Sequence, residues 1–329
     1  MKIGITGVSG YIGQMLLGYL EEDPEVTQIL GIDINPSPKI LKKLEFIKKD
    51  IRSKELVNLF RELDVLVHLA FIVEPVRDKK VIYDINVKGS INVLKACEEC
   101  SIPQIVVASS IAAYGIIPKG TPYLEESTPL KGNARSYYAH TKRLMEEELD
   151  KFEKRNPGVV ITKLRPSVLM GPVCYNFSHE FFAWPFMIDR LGGAKLPIVH
   201  EQDAVKAFYL ALKKKRHGAF NISIPEPVPV TIFAALIGKK RIPLPNIVIR
   251  GMLSALWELR ISKFSPDWAA LLIYSHYPSI RIERARKDLG WEPHFVPKET
   301  IQSQFKDSKL TFRDIFRKKE FPIGGIHYR

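Results

Sequence analysis

The run Lys2-Ile3-Gly4-Ile5-Thr6-Gly7-Val8-Ser9-Gly10-Tyr11-Ile12-Gly13, followed by Leu30-Gly31-Ile32-Asp33, leaves the chain few paths to follow. An apolar strand enters a glycine turn, a helix follows, and a second apolar strand ends in a carboxylate. Glycines let the backbone bend sharply and approach a pyrophosphate; the next helix offers unpaired N–H groups and a positive dipole end; Asp33 can accept hydrogen bonds from a ribose diol. Asp33 lies twenty residues beyond Gly13, the separation a βαβ unit needs to return to the same sheet edge. A ribose 2′-phosphate would meet that carboxylate as a like charge, so the pattern points to NAD over NADP. The spacing is Gly-x-x-Gly-x-x-Gly, not the commoner Gly-x-Gly-x-x-Gly.

Beyond this unit, short apolar strands at 3–6, 28–33, 45–48, 65–69, 104–109 and 159–164 alternate with helical patterns at 12–22, 54–63, 81–99 and 137–155. That alternation predicts an α/β fold, a Rossmann-type doubly wound parallel sheet covered by helices on both faces. At 329 residues the chain exceeds the usual size of one compact domain. We expect an NAD-binding domain over 1–165, completed by strands within 195–224, and a smaller C-terminal substrate-binding lobe over most of 166–329. Pro166, Pro172 and Pro185 punctuate an aromatic stretch with Phe177, Phe181, Phe182, Trp184 and Phe186, which is expected to leave the sheet. Further helical patterns occur at 247–260, 266–273 and 281–289.

Charge and cysteine usage narrow the function classes. The net charge is +13, and residues 237–329 supply +9 of it, eighteen Lys/Arg against nine Asp/Glu. The basic residues are dispersed among acids with no nucleic-acid-binding motif, so nucleic acid is not an expected partner. Lys213-Lys214-Lys215-Arg216 precedes Gly218, where a helix should end, and fits a helix C-terminus. Cys97, Cys100 and Cys174 cannot make an even disulfide framework. Cys97-x-x-Cys100 closes a helix, whereas a redox pair sits at a helix N-terminus, and a zinc site needs about four ligands. No metal is expected. The apolar stretch 242–259 contains Arg250, Glu258, Pro243 and Pro245 and does not read as a membrane span. The N-terminus runs directly into a strand without a secretory pattern, so a soluble, cytoplasmic protein is expected.

Tyr138 and Lys142 stand four residues apart in a helical stretch and so share one helical face. A phenol with its ordinary pKa of about 10 is a poor base near neutrality, but a neighbouring ammonium favours the phenolate. Ser109 and Ser110 follow a buried strand and would lie at the sheet edge near Tyr138. A serine there can hydrogen-bond a substrate alcohol or the carbonyl derived from it. Alone, a serine pair is better read as capping a strand end or satisfying a turn.

These residues together resemble the extended short-chain dehydrogenases/reductases, specifically the NAD-dependent epimerase/dehydratase group and its UDP-glucose 4-epimerase-like members. The resemblance runs through 6–13, Asp50-Ile51, His68-Leu69-Ala70, Asn86-Val87-Lys88-Gly89, 109–115 and 138–142. It continues through Leu164-Arg165-Pro166-Ser167, Gly171-Pro172, Asp203-Ala204-Val205 and Leu289-Gly290-Trp291-Glu292-Pro293. It implies that Tyr138 is the acid/base, Ser110 the catalytic hydroxyl, and Lys142 both the tuning charge and a donor to the nicotinamide ribose. It also implies that Gly7, Gly10, Tyr11, Ile12 and Gly13 surround the pyrophosphate. Asp50 and Ile51 would contact the adenine, and Leu69, Ala70 and Ser109 would pass beside the dinucleotide. Asn86 would support the structure nearby, while Pro166 and Val168, flanking Ser167, would approach the carboxamide.

The resemblance implies a small-molecule substrate of the nucleotide-diphosphate-sugar class and a homodimer through helices 81–99 and 137–155. Two departures bear on the substrate. The arginine that meets the diphosphate in such enzymes falls at Leu196, leaving Lys195, Arg281 and Arg284 as substitutes, and the dehydratase acidic pair is replaced by Ile111-Ala112. The reading is a sugar-nucleotide epimerase-like oxidoreductase. The alternative is a dehydrogenase or reductase of a more apolar alcohol or ketone, steroid-like, flavonoid-like or lipid-linked. A non-catalytic NAD-binding regulator is argued against by the intact Ser110, Tyr138 and Lys142.

Overall fold

Val65–His68 and Gln104–Ala108 are buried along their whole length, as strands must be when helices cover both faces of a parallel sheet. They belong to a seven-stranded sheet in the computed structural model, which describes residues 1–37, 39–133, 136–174, 184–261, 265, 266, 271 and 275–305. Its strands are β1 (Lys2–Thr6), β2 (Gln28–Asp33), β3 (Leu44–Lys48), β4 (Val65–His68), β5 (Gln104–Ala108), β6 (Val160–Pro166) and β7 (Gly218–Ile222). Their order is β7-β6-β5-β4-β1-β2-β3, with every neighbouring pair parallel. The order reverses between β1 and β4, and a ligand crevice opens outside the carboxyl ends of the strands at such a switch point.

Side-chain alternation along these strands feeds two cores. Ile3, Ile5, Val65, Val67 and Val106 point to one face, beneath helices Tyr11–Glu22 and Glu201–Lys214. Leu66, Ile105, Val107 and Ile161 point to the other, beneath Ser90–Glu99 and Tyr137–Arg155. Fully buried Trp291 locks the late chain to the first face: its Nε1 donates to the Asp203 carbonyl at 2.8 Å, and the Asp203 carboxylate accepts the N–H groups of His294 and Phe295.

All six expected strands of the first half are present, with ends moved by no more than two residues. Three expectations change. The helix expected over 81–99 is interrupted: Lys79–Tyr83 passes into a wide π turn, Asp84–Gly89, before Ser90–Glu99. Asn86 explains the break, because within this turn its amide is committed to both backbone groups of Ile72. The helix expected over 54–63 contracts to Leu56–Phe60. Of the late strands, only β7 joins the main sheet. Ile198–His200 pairs instead with Val168–Met170, and Lys195–Leu196 pairs with Val228–Pro229, because Pro197 lies between the two segments and its carbonyl accepts the Val168 N–H. Phe177, Phe181, Phe182 and most of 266–273 lie outside the described residues.

Candidate active site

The Tyr137–Arg155 helix places Tyr138 and Lys142 one turn apart, facing the end of β5. Lys142 is 2% exposed; its Nζ donates to the Ala108 carbonyl at 2.6 Å and stands 3.5 Å from the centroid of the Phe71 ring. Phe71 also meets Tyr138 edge to face at 5.9 Å. Tyr138 hydrogen-bonds Ser110, whose Oγ accepts the Ala112 N–H at 3.1 Å and donates to the Pro166 carbonyl at 3.4 Å. The structure therefore brings Ser110, Tyr138, Lys142 and Pro166 together, with Phe71 packed against Tyr138 and Lys142. Phe71 is not among the residues that the sequence pattern singles out. Its position directly after Leu69-Ala70, at the end of β4, was the available sign.

The electrostatics of the Tyr–Lys pair differ from the expectation drawn from spacing. Burial pushes the Tyr138 phenol up to about 12, with the Ser110 hydrogen bond opposing it. Burial brings the Lys142 ammonium down to about 7, with the Glu146 carboxylate opposing it. The Lys142 Nζ is drawn to the Ala108 carbonyl and the Phe71 face and lies 5.8 Å from the Tyr138 ring centroid. Desolvation is the largest influence on both groups.

Behind Ser110 lies a charged network that no local sequence pattern announces. The Glu146 carboxylate, 1% exposed, takes two hydrogen bonds from the Arg165 guanidinium at 2.9 and 2.6 Å and a third from the Ser109 hydroxyl. Arg165 also donates to Tyr114 Oη at 2.9 Å and to the Glu126 carbonyl at 3.0 Å. Ser109 gives its N–H to the Leu164 carbonyl. Its side chain and N–H thus fix the corner from which Ser110 projects.

At the switch point the residues suit a dinucleotide. Gly7 has φ +74°, and a Cβ there would stand 2.5 Å from the Ala70 nitrogen; at Gly13 it would stand 2.5 Å from the Val8 carbonyl oxygen. Only glycine permits this close crossing of the turn and the Leu69-Ala70 strand end. The following helix has Gly10 as its cap, no side chain bonded to its N-terminus and no acid in its first turn, so its dipole end suits a pyrophosphate. Asp33 sits above the turn, its two oxygens accepting the N–H groups of Ser9 at 3.1 Å and Asn35 at 3.0 Å, and burial pushes its carboxyl up. Each oxygen retains acceptor capacity for a diol.

Other residues marked in the sequence are engaged as follows. The Tyr11 hydroxyl bonds the buried Glu201 carboxylate, which fills the space a side chain at Gly171 would need. Ile12 packs against the first core. Asp50 is paired with Arg52, which also reaches Asp84, and Ile51 lies beneath Gly89. Buried His68 is held between Thr6 Oγ1 and Ser90 Oγ and is driven down to about 3 by burial, hence neutral. Among the described residues no cluster of His, Cys, Asp and Glu could hold a metal.

A cavity of about 270 Å³ opens beside Tyr138, bordered by Arg77, Lys79, Tyr137, Trp257 and Glu258. Arg77 stacks 4.7 Å from the Trp257 ring and pairs with Glu258 at 3.5 Å. The cations named from sequence lie elsewhere. Arg284 donates to the His217 carbonyl next to the first residue of β7, at the sheet edge opposite Ser110. Arg281 stacks on Tyr123 at 3.6 Å. Lys195 is exposed in its short strand.

Asp33 yields a direct test. Asp33→Ala lowers the preference for NAD over NADP, measured as the ratio of dissociation constants, by about tenfold, the effect of removing roughly 1.4 kcal/mol of differential interaction. An unchanged ratio would remove Asp33 from the cofactor site.

Residues 3–223 match the model of the NAD dependent epimerase/dehydratase family. An uncharacterized protein of Mycobacterium tuberculosis is 24% identical over 317 residues, spanning 93% of this chain and 84% of the relative. A UDP-glucose 4-epimerase of Lactobacillus helveticus is 31% identical over 172 residues, 50% of this chain and 51% of that protein. Among solved structures, UDP-glucuronic acid 4-epimerase from Bacillus cereus, in complex with UDP-glucuronic acid and NAD, superposes with a TM-score of 0.74 at 19% identity, covering 93% of this chain and 98% of that one. UDP-glucose 4-epimerase of Thermotoga maritima, with UDP-glucose, gives 0.72 at 20% identity, covering 96% and 100%. These two likenesses are of fold.

Proposed function

The chain belongs to the NAD dependent epimerase/dehydratase family, and from that premise we propose that it is an NAD-dependent, epimerase-like oxidoreductase acting on a carbinol of a nucleotide-diphosphate sugar. The observation that carries this reading is the meeting of Ser110, Tyr138 and Lys142 at the end of β5, next to the switch-point crevice. Bound NAD supplies the reversible hydride chemistry. Gly7, Gly10 and Gly13 with the Tyr11–Glu22 helix end hold its pyrophosphate, and Asp33 holds its ribose. Tyr138 exchanges a proton with the substrate oxygen, and Ser110 holds that oxygen in place. Lys142, one helical turn from Tyr138 and held at the Ala108 carbonyl, would turn its Nζ toward the nicotinamide ribose. Arg77, paired with Glu258, and Lys79 border the cavity beside Tyr138 and are the cations there that suit a diphosphate where Leu196 offers none. We assign 1–165 with β7 to the cofactor lobe and most of the remaining chain to the substrate lobe.

A second reading is favoured by one observation: Ile72, Val73, Pro75 and Trp257 give the same cavity apolar walls, which would suit a more apolar alcohol or ketone. One experiment separates the two. The purified chain is incubated with UDP-glucose and UDP-glucuronic acid, and epimers and NADH are measured together. Epimer formation without net NADH supports the first reading. Net NADH from hydrophobic alcohols, with the UDP-sugars inert, replaces it by the second.

A further inference from the structure

Helix Asn246–Glu258 buries Ile249 and Leu253, yet its opposite side is also apolar. Val248, Gly251, Ala255 and Leu259 recur at steps of three and four residues and all lie exposed, with Ile247 beside them. Ile247 is 75% and Leu259 69% exposed. The strand leading into the helix, Lys240–Leu244, is exposed over most of its length and pairs in parallel with Phe186–Arg190. The Leu191 N–H bonds the Leu244 carbonyl, which sets exposed Leu191 and Ile242 in the same region. A soluble surface does not ordinarily collect so many large apolar side chains.

The charges around this face are mostly positive. From Pro227 to Trp257 the sequence holds Lys239, Lys240, Arg241 and Arg250 and no acidic residue, and Arg260 follows. Of the nearby acids, Glu258 is paired with Arg77 and buried Asp189 with Arg241, which leaves Lys240, Arg250 and Arg260 as the cations beside the apolar stripe. An apolar stripe flanked by cations is the composition of a helix that lies in the boundary of an anionic bilayer. The same charges disfavour other covers. A second copy would bring an equally basic face, and residues 306–329 of the chain carry seven basic residues against three acidic ones.

We propose that the surface formed by Lys240–Leu244 and Asn246–Glu258 docks peripherally on an anionic lipid surface. No helix among the described residues is long and apolar enough to cross a membrane, so the contact is one of lying on the bilayer. Trp257 and Glu258, at the end of this helix, border the cavity beside Tyr138, and docking sets that cavity next to the lipid headgroups. Docking of this face is independent of which substrate the cavity takes.

The test is flotation of the full chain with vesicles of pure phosphatidylcholine and of phosphatidylcholine with phosphatidylglycerol. Binding to the anionic vesicles is expected, at least tenfold weaker to the neutral ones, and weakened by raised salt. Ile247→Asp with Val248→Asp should reduce the anionic binding at least tenfold while leaving NAD affinity and the melting temperature unchanged. Equal flotation of this variant and the wild type would place the binding elsewhere on the chain and overturn the proposal. So would absence of flotation with anionic vesicles, or a dimer in solution that the double substitution dissolves.

Discussion

Tyr138→Phe lowers turnover with the true substrate by roughly 10²- to 10⁴-fold, the range expected when a positioned acid/base is removed. The change deletes one oxygen and leaves the ring, which packs against Ala112, Ala139 and Leu271 and meets Phe71 edge-on. Substrate KM and NAD affinity should therefore move by less than about threefold, and the loss should fall on kcat. Ser110 loses a hydrogen-bond partner but keeps the Ala112 N–H and the Pro166 carbonyl, so its position holds. Single-turnover kinetics with the enzyme saturated in NAD provide the measurement. Unchanged turnover would show that the proton is handled by another group. Loss of NAD binding without loss of chemistry at saturating cofactor would reassign Tyr138 to positioning.

What could be read from the chain was whatever local pattern determines. β1, the glycine turn, the helix and β2 follow from adjacent residues whose backbone demands allow little else, and the Tyr138–Lys142 spacing follows from helical periodicity. The wide turn at Asp84–Gly89 was not legible, because its cause is a bond between Asn86 and Ile72, fourteen residues apart. The buried Glu146–Arg165 pair joins a helix to β6, and nothing near either residue announces the other. Arg77 and Trp257 border one cavity from opposite parts of the chain. The segment 195–200 was apolar enough for a central strand, but periodicity does not say which sheet a strand joins. The pKa directions of Tyr138 and Lys142 escape a reading from spacing for the same reason: spacing reports that two groups are near, whereas burial depends on everything packed around them.

Lys142 is where that distinction has its largest consequence. Lys142→Met should abolish measurable turnover yet stabilise the fold at neutral pH by about 1–3 kcal/mol. A lysine held near 7 in the folded protein and near 10.4 when unfolded favours the unfolded state, which binds the proton more tightly. Below pH 7 both states are protonated and the cost is full. Between about 7 and 10.4 the unfolded chain carries the extra proton, so wild-type stability gains up to about 1.4 kcal/mol per pH unit from this residue. A methionine side chain has no proton to exchange and removes that slope, so the advantage of the variant should shrink steadily as pH rises from 7 to 9. Losses of the hydrogen bond to the Ala108 carbonyl and of the contact with Phe71 work against the gain and keep it in the low single digits. Denaturant unfolding of both proteins at several pH values reads the difference directly. A variant less stable than wild type at pH 7, or an advantage that grows with pH, would mean that Lys142 is held charged by its surroundings above pH 7 despite its burial.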